Sequence, residues 1–130
     1  MNINLSEVIS PELEEAIHET EPADFPAGDL LPPWEAGKLH FLTARDATGN
    51  LLGVLAYQIN EGPHGLSMEI VGVNAKGASL ALRMMFQAIA SSADTKSARL
   101  SCMIEKPAMA RIAEKFGMVE RARFYVRDVA

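Results

Sequence analysis

The chain has 130 residues, enough for one domain with its own core, and its mix of 48% hydrophobic and 22% charged residues is that of an ordinary globular protein. A net charge of −5 argues against general nucleic-acid binding, which leans on surplus Lys and Arg. No apolar run approaches the roughly 20 residues of a membrane-spanning helix, the N-terminus lacks a secretory pattern, and the single cysteine, Cys102, excludes an internal disulfide and a cysteine-based metal cluster.

In chain order, Met1–Ile9 can hold a short first strand. Ser10-Pro11 reads as an N-cap followed by proline at the first helical position, with Glu12, Glu14 and Glu15 well placed against the helix dipole. Leu13, Ala16 and Ile17 give that helix, residues 11–20, a narrow apolar face. Pro22, Pro26, Pro32 and Pro33 then break the chain into loop, with Trp34 as an anchor in it. Leu39–Arg45 has strand character, Asp46-Ala-Thr-Gly-Asn50 is turn chemistry, and Leu51–Ile59 returns as a second strand of a hairpin. Asn60–Gly65 is a further turn leading into a strand that carries Glu69, Ile70, Val71 and Val73.

That strand runs through Asn74-Ala-Lys-Gly-Ala-Ser79 into a helix over residues 78–92. Ser79, Arg83, Gln87 and Ser91 fall four apart, a single polar stripe on an otherwise apolar helix, which suits a helix pressed on a sheet. A turn feeding a helix N-terminus offers N–H groups and the positive end of a dipole, a place for phosphate; a single Gly77 in such a turn is more often only a turn. Ala98–Ile104 follows as a buried-looking strand. Pro107 starts a last helix whose Met109, Ile112, Ala113 and Phe116 share a face, and Gly117 supplies its left-handed stop. Val119–Val129 alternates, with Ala122, Phe124 and Val126 toward the core and Arg121, Arg123, Tyr125 and Arg127 away from it. The predicted fold is one domain of mixed α+β class, a mostly antiparallel sheet flanked by helices, with residues 1–38 as an acidic helix and loop and 39–130 as the core.

Charge is unevenly spread. Lys and Arg are absent before Lys38, while Glu7, Glu12, Glu14, Glu15, Glu19, Glu21, Asp24, Asp29 and Glu35 all lie there. This reads either as a solvated helix face with a polar loop or as an acidic rim attracting a cationic partner. His18, His40 and His64 lack ligand spacing, so no metal is expected. Cys102 reads as a small apolar residue, and a reducing cytoplasm is the simplest home.

Two stretches carry a resemblance. Asn74-Ala-Lys-Gly77-Ala-Ser79 is similar to the Q/R-x-x-G-x-G/A loop of the GNAT (Gcn5-related) N-acetyltransferase superfamily, and Glu105-Lys-Pro-Ala-Met-Ala-Arg-Ile-Ala-Glu-Lys-Phe-Gly-Met118 resembles that family's D/E-N-x-x-A-x-x-L-Y-E-K-x-G-F segment. The likeness spans residues 39–128 and looks like that of a small divergent member of the kind found in bacteriophages. It implies acetyl-CoA as substrate. Main-chain amides of Asn74, Ala75, Lys76, Gly77, Ala78 and Ser79 would hold the pyrophosphate, with Lys76 as a point charge and Lys106 near the cofactor arm. Backbone at Val71 and Val73 would pair with the pantetheine. It also implies Glu69 as the base, directly or through water. Asn74, Ser79 and Lys106 depart from the pattern, and Ala113 stands where the family often has the tyrosine that protonates the leaving thiolate; Tyr125 is the stand-in.

Two classes of function follow from the resemblance. One is an acetyl-CoA-dependent N-acetyltransferase acting on a cationic amine of a small molecule, or on a protein lysine or N-terminus. The other is a catalytically degenerate module that keeps the fold to bind CoA or a protein partner. Neither involves nucleic acid or membrane, and the exposed final strand leaves a sheet-extended homodimer open.

Overall fold

The computed structural model describes residues 1–18, 39–75, 79–102, 107–121 and 127. Among the described residues five strands and three helices follow one another: β1 (Asn2–Asn4), α1 (Pro11–His18), β2 (Leu39–Arg45), β3 (Leu51–Gly62), β4 (Gly65–Asn74), α2 (Ser79–Thr95), β5 (Arg99–Cys102) and α3 (Pro107–Lys115). The strands form one sheet in the order β1-β2-β3-β4-β5. The first four are antiparallel, whereas β5 lies parallel to β4, because α2 carries the chain back across the sheet before β5 begins. This is the mixed, mostly antiparallel sheet with flanking helices that the sequence predicts.

The sheet separates two apolar layers. On one face α2 and α3 pack through Met85, Phe86, Ile89 and Ala113 onto Leu42, Leu55, Tyr57, Met68 and Ile70. On the other, α1 sets Leu13, Ala16 and Ile17 on Leu39, Phe41, Val54 and Ala56. Each helix was legible from its own spacing. Ser79, Arg83, Gln87 and Ser91 are exposed while Ala81, Met85, Phe86 and Ile89 are buried, as the polar stripe requires. Ser10 caps α1, its Oγ accepting the Leu13 N–H at 3.4 Å.

Some boundaries differ from the sequence reading. The β3–β4 turn is confined to Pro63-His64, since Asn60, Glu61 and Gly62 pair with Ser67, Leu66 and Gly65. A long hairpin satisfies more backbone groups than a six-residue loop would, so pairing overrides the turn chemistry of the intervening residues. Helix α2 runs past Ser92 to Thr95. β5 is half-buried on one face only, with Arg99 and Ser101 exposed, where burial on both faces was expected. It is flanked by helices on the Leu100 and Cys102 side, which join the α2/α3 core. Of the strand expected over Val119–Val129, Val119–Arg121 are not part of a strand, while residues 122–126 and 128–129, like Trp34, lie outside the described residues.

Helices α2 and α3 end in the same way. In α3 the Met118 N–H reaches the Ala113 carbonyl and the Gly117 N–H the Glu114 carbonyl, with Gly117 at φ 82°. In α2 the Ala98 and Ser97 N–H groups reach Ala93 and Asp94 in the same pattern, yet the left-handed position is Ser97, at φ 53°. A serine there carries the Cβ clash that glycine avoids. Ser97 is also exposed, so Ser97→Gly is expected to raise stability by about 0.5–1 kcal/mol in urea unfolding, and a loss would refute the strain.

Polar contacts pin the N-terminal segment. Arg45 donates to both carboxylate oxygens of Glu7 and to Glu12, and its guanidinium pKa is raised chiefly by the Glu7 hydrogen bond. Two of the acidic residues on the N-terminal side thus serve an internal partner rather than a free rim. The Tyr57 hydroxyl donates to the Leu5 carbonyl at 2.8 Å, and its ring stacks on His40, whose pKa is lowered by burial and then by Lys96. Asp46 accepts from Thr48 and Asn50 in the β2–β3 turn, which holds its carboxyl down to about 2.

Candidate functional site

The candidate site is built on β4. Its lower half is paired on both sides: Gln58 of β3 lies opposite Glu69, and Ser101 of β5 lies on the other flank. Above this the ladders change. Ile70 pairs with Tyr57 and Gly72 with Ala56, so Val71 is an extra residue, a β-bulge. On the opposite edge, pairing with β5 ends at Ile70–Cys102 among the described residues, while β4 itself continues to Asn74. Residues 103–106, which follow β5, lie outside the described residues.

The bulge changes which way side chains point. Met68 and Ile70 face the α2/α3 core, and without interruption Gly72 would follow. Instead Val71 packs on the α1 side and the Cβ position of Gly72 lies 3.7 Å from Ile17 Cδ1, so two successive residues look toward α1. Val73 then returns to the α2/α3 side. Glu69, between Met68 and Ile70, points to the α1-side face and is exposed to solvent. A carboxylate, a bulged backbone and the C-terminal turn of α1 thus share one face of the sheet.

Asn74 closes this face. Its Nδ2 donates to the Ala16 carbonyl of α1 at 2.9 Å. With Ile17 packed over Gly72, α1 is docked on the top of β4 at two points. Ala75 is half-buried and Ser79, exposed, opens α2. Glu69, Val71, Val73 and Asn74 therefore lie on one strand, and Ala75 is its exit. Lys76, Gly77, Ala78, Lys106 and Tyr125 lie outside the described residues.

Ala113 is 3% exposed and belongs to the α2/α3 core, so this position presents no polar group. Cys102 flanks the top of the β4–β5 ladder, and burial pushes its thiol pKa up, which makes it a poor nucleophile. An open cleft of about 450 Å3 lies elsewhere, at the β1 edge, lined among others by Asn4, Thr43, Arg45 and Asp46. Its charged groups already have partners in Glu7, Glu12, Thr48 and Asn50, so β4 is the better candidate.

Three features of this site escaped the sequence reading: the bulge at Val71, the Asn74 link to α1 and the packing around Gly53 of β3. Only the last had a local signal, an isolated glycine inside a strand pattern, which marks a bulge or a close backbone approach.

Neither a family model nor a curated protein matches this chain by sequence. Solved structures do match by shape. A crystal structure of a probable acetyltransferase is similar with a TM-score of 0.72 and 13% identity, covering 100% of this chain and 99% of that one. A ribosomal-protein-alanine N-acetyltransferase from Brucella melitensis biovar Abortus 2308 has a TM-score of 0.64 and 18% identity, covering 99% and 100%. A predicted acetyltransferase with acetyl-CoA from Clostridium acetobutylicum has a TM-score of 0.67 and 13% identity, covering 98% and 95%. Identities this low carry the fold and not the activity. The chain has the fold of the GNAT (Gcn5-related) N-acetyltransferase superfamily.

Proposed function

We propose that the protein is an acetyl-CoA-dependent N-acetyltransferase acting on a cationic amine. What supports this reading is the bulge at Val71, just before β4 ends at Asn74 and α2 opens at Ser79, on a fold shared with solved acetyltransferase structures. Bulged strand backbone can pair with the amides of an extended ligand arm, and the helix start beyond it suits an anion. Backbone at Val71 and Val73 would take the pantetheine; the amides from Asn74 to Ser79, with Lys76, would take the pyrophosphate, and Lys106 would lie along the arm.

Acetyl-CoA supplies the thioester acyl group. An alkyl amine near pKa 10.4 arrives mostly protonated, so attack requires loss of a proton first. Glu69, solvent-accessible on the α1-side face, takes that proton directly or through water. A main-chain N–H near Val73 stabilises the oxyanion, and Tyr125 donates the proton that the leaving thiolate needs. The acidic N-terminal segment favours a cationic acceptor, a small molecule or a protein lysine or N-terminus.

A second reading, a module that binds CoA or a protein partner without transfer, is favoured by Ala113, whose buried methyl cannot replace the tyrosine hydroxyl, and by the departures from the loop pattern at Asn74 and Ser79. Titration calorimetry with acetyl-CoA and CoA tests both. Micromolar affinity, about −8 kcal/mol, is expected, with loss of binding in Gly77→Glu through charge repulsion and lost backbone approach. No binding of either ligand to the native chain removes the enzyme reading. Binding without acetylation of any amine in a screen selects the second one.

A further inference from the structure

Gly53 lies where three elements meet. Its neighbour Val54 pairs with Asn74, so Gly53 stands beside the point at which β4 gives way to the junction with α2. A Cβ on Gly53 would sit 2.7 Å from Met85 Cε, 3.2 Å from the Asn74 carbonyl oxygen and 3.3 Å from Ala75 Cα. The first contact involves the flexible end of a side chain and can rotate away. The other two are backbone, and close-packed backbone yields only by moving.

Torsion does not explain the glycine. Positive φ among the described glycines occurs at Gly49, Gly65 and Gly117, and Gly53 is not one of them. The missing side chain is what matters, because it lets the exit of β4 settle against β3 and lets α2 settle on the sheet through Met85. The backbone approach fixes the Asn74–Ala75 side of the junction, while Met85 brings α2, which starts at Ser79, over the same glycine.

We propose that Gly53 is a positioning residue for the candidate coenzyme-binding junction: its bare α-carbon sets where Asn74, Ala75 and the start of α2 lie relative to the sheet. Gly53 touches no ligand in this arrangement. It acts through the main chain of Asn74 and Ala75, and the ligand half of the inference rests on the function proposed above.

The test is Gly53→Ala, with Gly62→Ala as control, since a Cβ at Gly62 meets nothing closer than the Gly65 oxygen at 3.9 Å. Backbone amide resonances and coenzyme A affinity are read on both variants. Gly53→Ala is expected to shift the amides of Asn74, Ala75 and Ser79 more than those of β1 and α1, and to weaken coenzyme A binding roughly tenfold. Gly62→Ala does neither. Unmoved amides at Asn74, Ala75 and Ser79 overturn the proposal, as does unchanged affinity in a chain that binds coenzyme A. Should the native chain not bind it, the functional reading fails, and the amide shifts alone decide the positioning role. If Gly53→Ala does not fold, Gly53→Ala combined with Met85→Val clears the shortest contact, keeps the two backbone ones and takes its place.

Discussion

Glu69→Gln is expected to lower kcat/KM for amine acetylation roughly a hundredfold, the lower end of what a positioned general base contributes. The substitution keeps the side chain's size and its place between Met68 and Ile70, so the sheet and both cores remain as they are. Glu69 is exposed on the face that α1 covers further along, which gives an amine and its hydration water access to the carboxylate. Affinity for coenzyme A should hold in the same variant, because the junction at Asn74–Ser79 is a separate part of β4 and α2. A drop in rate with coenzyme affinity intact is therefore the signature of the base. Equal rates in the two proteins would return Glu69 to a solvated strand position.

Phe86→Ala is expected to cost about 3–5 kcal/mol in urea unfolding. Phe86 is 1% exposed, lies in the layer between sheet and α2, and stacks on Phe116 beyond α3 with ring centroids 6.3 Å apart. Its removal leaves a cavity bounded by β-sheet on one side and a second aromatic ring on the other, neither of which can collapse to fill it. A loss below about 1 kcal/mol would mean that α2 and α3 repack freely over the sheet. The neighbouring Met85 makes the test informative for the site as well, because the helix that carries these two residues begins at the junction.

What the sequence by itself determined were the features written into short windows. The polar stripe of α2 follows from side chains four residues apart on one helix. The serine cap of α1 and the left-handed glycine after α3 are set by the residues within one turn of them. The β2–β3 hairpin comes from Asp46–Asn50, whose side chains hydrogen-bond to their own backbone neighbours. From these local signals the element order, the mixed fold, Glu69, Val71 and Val73 as members of one strand, and the turn from Asn74 into the next helix could all be read.

Only the tertiary structure decided the register. Whether Val71 or Gly72 opposes Ala56 depends on a partner strand that precedes it in the chain, and no property of Val71 itself announces a bulge. The same holds for Asn74, which reaches back to Ala16, and for Arg45, which gathers Glu7 and Glu12. Gly53 is the sharpest instance. Its meaning comes from a carbonyl of β4 and a methionine of α2 brought to it by folding, contacts between segments distant in sequence whose spacing no local propensity encodes.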